Sequence, residues 1–130
     1  MAEEPGAFDL VEGFLPDDKV ADVVATIDAF VLAYRDFESQ SGVAVVAALC
    51  ARPVIATRSG GLAEMFEHGL TGIAIDASVT PDSILAAIVD FRRRPIAEWE
   101  RAARLGADRM GARLSWDRIG AAYLDAVRRA

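Results

Sequence analysis

The chain is 130 residues long, 53% hydrophobic and 26% charged, with a formal net charge of −6. That length suits one domain able to bury a core, and the apolar content excludes a disordered chain. The acidic balance excludes nucleic acid and anionic membrane as main partners.

Taken in chain order, Pro16-Asp17-Asp18 opens a helix with Asp17 or Asp18 near its cap, and Val20, Val23, Val24 and Ile27 recur at helical spacing. Residues 29–34, AFVLAY, form a short continuous apolar run, which reads as a strand buried on both faces. A polar stretch follows, and Ser41 is suited to cap a helix over 42–51. PVIAT, 53–57, is a second buried strand, with Pro53 tolerated at its first position. Arg58-Ser59-Gly60-Gly61 then turns into a helix carrying Leu62, Met65 and Phe66, which Gly69 stops. TGIAID, 71–76, is a third strand.

Pro81-Asp82-Ser83 starts the next helix, with Ile84, Leu85, Ile88 and Phe91 on one side. Helical pattern continues to the end, interrupted near Pro95 and at Leu114-Ser115-Trp116. Arg92-Arg93-Arg94 and Arg128-Arg129 read as solvated helix ends that complement the dipole. Trp99 and Trp116 are assigned to core or inter-helix packing.

Strands alternating with helices predict an α/β fold: a partial, doubly wound, Rossmann-like parallel sheet of about three to four strands, in three layers. Residues 1–130 are expected to form one domain. Ligands of such sheets bind at the carboxyl ends of the strands. There the loop Tyr34-Arg35-Asp36-Phe37-Glu38-Ser39-Gln40-Ser41-Gly42 enters a helix whose free N–H groups favour an anion. The turn at Gly60-Gly61 leaves the neighbouring strand at the same edge. Two loops at one rim make a candidate site.

No run approaches the roughly 18 apolar residues that a membrane-spanning helix needs. Met1-Ala2-Glu3-Glu4 lacks the basic start of a signal peptide, and the lone Cys50 precludes an internal disulfide. The expectation is a reducing, cytoplasmic compartment, with Cys50 a buried, inert thiol. His68 is the single histidine, so a histidine metal cluster or a triad drawing on a second histidine is excluded, and no metal or cofactor is expected. At a helix end, His68 reads as structural.

Three stretches carry a resemblance: GFLPDDKVADVVATIDAFVLAYRDFESQSG, RPVIATRSGGLAEMFEHGLTGIAID and SWDRIGAAYL. Together, from about Gly13 to Leu124, they resemble the C-terminal, donor-binding domain of family 4 glycosyltransferases with the GT-B fold. The resemblance implies a nucleotide-sugar donor held between two Rossmann-like domains. It also implies two glutamates eight positions apart, the first near the donor sugar and phosphates and the second bonded to the ribose hydroxyls. The first matches Glu38 and the second falls on Val46. Ala51 stands where the family commonly has glycine, a mild change, and Glu64 matches a glutamate that follows the glycine pair.

The family's diphosphate-neutralising basic pair and its acceptor domain would lie upstream of the matched residues. The chain therefore reads as the latter part of a GT-B C-terminal domain. The donor-binding candidates are Glu38, Ser39, Gln40, Ser41, Gly42, Gly60 and Gly61, with no catalytic residue among them. The competing bland readings are a loop acid paired with Arg35, a capped helix start and a tight turn. Glu64 and Glu67 are left as surface acids.

The favoured function is a glycosyltransferase-derived donor-binding domain that is inactive alone. The alternatives are a non-catalytic interaction or scaffold module on the same fold, and a binder of some other small anion. Strand 29–34 is expected at a sheet edge. Its cover would be a two-fold homodimer, a complementing chain, or the segment around Phe8 to Phe14.

Overall fold

The computed structural model describes residues 9–36 and 38–129. Asp17–Thr26 form helix α1, with both aspartates in its first turn, where they complement the dipole. Three short strands come next, each separated by a helix: β1 (Phe30–Leu32), α2 (Gly42–Leu49), β2 (Val54–Thr57), α3 (Gly60–His68) and β3 (Gly72–Ile75). The strands pair in parallel in the order β1-β2-β3. Phe30 lies opposite Val54, and Val54 opposite Gly72. The expected α/β architecture with a partial parallel sheet is what the chain adopts.

The pleat sends alternate residues of β2 to opposite layers. Val54 and Ala56 pack with Leu32, with Ala44, Ala47 and Ala48 of α2, and with Leu62 and Met65 of α3. All three of these alanines are buried in that cluster. Ile55 packs the other way, with Ile75 and with Ala87 and Phe91 of α4 (Pro81–Arg93). Thr80 caps α4 in a reciprocal pair with Ser83, and Pro81 supplies the first helical position.

Helix α5 (Ile96–Arg113) joins the two layers, because its Trp99 belongs to the second cluster and its Met110 to the first. It crosses beneath the amino ends of the strands. Arg52, before β2, pairs with Glu100 at 3.5 Å, and the Thr71 hydroxyl, before β3, donates to the Ala102 carbonyl at 3.4 Å. A Cβ on Gly106 would meet the Gly69 carbonyl oxygen at 2.1 Å, so the crossing depends on a glycine there. One end of the sheet is thereby closed, and the carboxyl end is left to the loops.

Four expectations are corrected. The strand at 29–34 narrows to three residues, and it is not buried on both faces: Val31 is 51% exposed. Val31 shares a face with Ile55, but α4 packs mainly on β3 and β2. Cys50 is exposed, because α2 ends at Leu49 and the thiol lies on the turn beyond it. Ala51 is no mild change, since its φ of 53° is left-handed, the region a glycine occupies without cost. Trp116 opens α6 (Trp116–Arg129) and is 84% exposed, on a helix that buries none of its residues.

Candidate functional site

The carboxyl rim gathers the segments that leave β1, β2 and β3. The Thr57 hydroxyl, at the end of β2, donates to the Tyr34 carbonyl at 2.9 Å and ties the two departing chains together. Arg58 continues the ladder by donating its N–H to the Ile75 carbonyl at 2.7 Å. Arg35 reaches from the end of β1 to the Val79 carbonyl at 3.4 Å, beyond the end of β3. It forms no ion pair with Glu38 among the described residues, and Glu38 stands as an exposed loop acid.

The candidate residues occupy three kinds of place. Glu38, Ser39 and Gln40 lie on an exposed loop. Ser41 is buried and caps α2, its Oγ accepting the Ala44 N–H at 3.2 Å. Gly42 starts α2 with open space around it: an added Cβ would meet nothing within 4 Å. Gly60 and Gly61 form the first turn of α3, and Gly60 has a left-handed φ of 48°.

The two loops touch. The Gly61 N–H donates to the Glu38 carbonyl at 3.2 Å. A Cβ on Gly61 would stand 2.8 Å from the Ser39 carbonyl oxygen and 3.0 Å from the Gln40 Cα. Glu38, Ser39, Gln40 and Gly61 thus form one constellation, whereas Gly42 faces open space. Val46, at the second glutamate position, is half-buried on α2.

Sequence reasoning missed a polar cluster behind this loop. Glu64 on α3 lies 3.5 Å from the His68 Nε2 and 3.8 Å from an Arg113 guanidinium nitrogen at the end of α5. With Gln40 and the apolar Val45, Met65, Met110 and Leu114 these groups line a cavity of about 30 Å³, room for a water molecule or two. The i, i+4 spacing of Glu64 and His68 was visible in the chain, but Arg113 is brought in by tertiary structure alone. Among the described residues no helix is long and apolar enough to cross a membrane.

Comparison with known proteins agrees with this architecture. Residues 9–93 match the family described as glycosyl transferases group 1. The chain is also similar to sucrose synthase 2 of Pisum sativum, 36% identical over 84 residues. That match covers 62% of this chain and 10% of the relative, so the chain spans only a small part of the relative's length. No solved structure matches the chain.

Proposed function

The chain belongs to the glycosyl transferases group 1 family, and from that premise we propose that its carboxyl rim is a nucleotide-sugar-binding surface of weakened affinity, inactive as an isolated 130-residue polypeptide. The observation that carries this reading is the contact of the Glu38 carbonyl with the Gly61 N–H, which joins the two loops that the resemblance links to the donor. Glu38 keeps an exposed carboxylate on that rim. Val46 is the weakness. A valine cannot accept from a ribose hydroxyl, and a polar group left without its partner costs roughly 1–3 kcal/mol.

Glycosyl transfer also needs donor and acceptor held together while the leaving diphosphate is neutralised. Titration calorimetry with a panel of nucleotide-sugars tests the reading. Binding weaker than micromolar is expected, strengthened by Val46→Glu and weakened further by Glu38→Ala. A micromolar dissociation constant for the unaltered chain would overturn the weakened-affinity reading.

The homodimer is a second proposal, supported by the place of β1. That strand is an edge of the sheet, and Leu10, Val11 and Phe14 are 80%, 70% and 90% exposed and do not cover it. Phe8 lies outside the described residues. Light scattering after size exclusion should give twice the chain mass; a monomer at high concentration would leave the edge to a complementing chain. The alternative reading as an interaction module draws on α6, whose Trp116, Ile119, Tyr123 and Val127 make an exposed apolar row.

A further inference from the structure

Gly60 and Gly61 are adjacent, yet the structure asks different things of them. Gly60 needs its left-handed φ. Gly61 does not adopt a left-handed φ, so an alanine would fit its backbone and be excluded only by what surrounds it. What surrounds it is the loop that carries Glu38: the Ser39 carbonyl oxygen at 2.8 Å and Gln40 atoms at 3.0 Å from an added Cβ. The nearest of these is backbone, which cannot swing aside as a flexible side-chain tip can. Its N–H meanwhile donates to the Glu38 carbonyl at 3.2 Å. That N–H is therefore spent within the protein and is not offered to a ligand phosphate.

We propose that Gly61 is a positioning residue, whose missing side chain and engaged N–H seat the Glu38–Gln40 backbone on the first turn of α3. It acts through Glu38: the loop lies against α3, and the carboxylate is thereby presented at the rim. The neighbouring Gly42 supplies the internal contrast, having open space where Gly61 has protein. The consequence for a ligand rests on the nucleotide-sugar reading; the seating of the loop does not.

Amide hydrogen exchange and amide chemical shifts on the full chain test this. In the unaltered protein the Gly61 amide should exchange about tenfold more slowly than the Gly42 amide, which opens a helix and has no turn before it to accept. Equal rates would overturn the proposal, and this measurement needs no variant to fold. Gly61→Ala should speed exchange at position 61 about tenfold and shift the amides of Glu38 to Ser41. It should leave Val54 to Thr57 unchanged, and Gly42→Ala should move neither those amides nor the amides of Glu38 to Gln40. Loop shifts no larger in Gly61→Ala than in Gly42→Ala would sink the idea.

Affinity is read separately, in the Val46→Glu background, by nucleotide-sugar titration. Gly61→Ala should weaken binding about tenfold there. If that background binds no donor at all, the nucleotide-sugar reading fails while the amide data still decide the seating. Donor affinity unchanged by a loop that has visibly moved would overturn the claim that Gly61 acts through Glu38.

Discussion

The indole N–H of Trp99 donates to the Phe91 carbonyl at 3.0 Å, and the two rings stack with centroids 5.1 Å apart. One side chain thus closes the end of α4 and fills the second core cluster. The Arg94 guanidinium lies 4.2 Å from the centre of the same ring, a cation–π contact. Trp99→Ala should cost about 3–5 kcal/mol, the usual loss for a buried aromatic. Trp99→Phe, which keeps the stack and loses the hydrogen bond, should cost about 1–2 kcal/mol. Denaturant unfolding of the two variants would check the order; equal losses would contradict it.

Arg52 holds the carboxyl end of α1. Its Nε donates to the Val24 carbonyl at 3.0 Å and a terminal nitrogen to the Ala25 carbonyl at 3.3 Å, while the other terminal nitrogen pairs with Glu100. A planar, multiply donating cation suits carbonyls left open at a helix end. Arg52→Ala should cost about 1–2 kcal/mol. Arg52→Lys should recover less than half, because an ammonium lacks the fork. Full recovery by lysine would mean that charge alone matters here.

Ala51 sits at a φ of 53°, where its Cβ crowds the backbone. Ala51→Gly should therefore stabilise the chain by about 1 kcal/mol, a rare gain from removing a side chain. A lower melting temperature for this variant would contradict the strain.

Two reporters are already in place. Trp116 is 84% exposed and Trp99 4%, so iodide should quench one tryptophan population and spare the other. Cys50, exposed on its turn, should react with a thiol reagent in the native state without unfolding. A partner docked on α6 would protect Trp116 and leave the Cys50 rate unchanged.

Much of this was legible in the chain, for identifiable reasons. β2 is buried at every position, so its uninterrupted apolar run matched its surroundings and its expected bounds were off by one residue. Ser41 announces its helix because a hydroxyl that accepts an N–H three residues on is a local device. Val31 and Trp116 misled because an apolar residue reads alike whether or not another element covers it. Ala51 hid its strain because composition carries no φ. Of the site, the two loops were readable from strand-to-helix punctuation. Their contact was not, because Glu38 and Gly61 meet through folding and by backbone atoms that any residue has.

The sheet runs in the order of the chain. Phe30 faces Val54 and Val54 faces Gly72, so each strand finds its partner in the next one made, with a single helix laid between. Among the described residues no later strand is inserted between one strand and its partner, so each pairing closes a single helix-containing connection. The order favours stepwise growth, in which β1 and β2 associate before β3 joins them. Pairing within the sheet is then a matter of addition between neighbours in the chain.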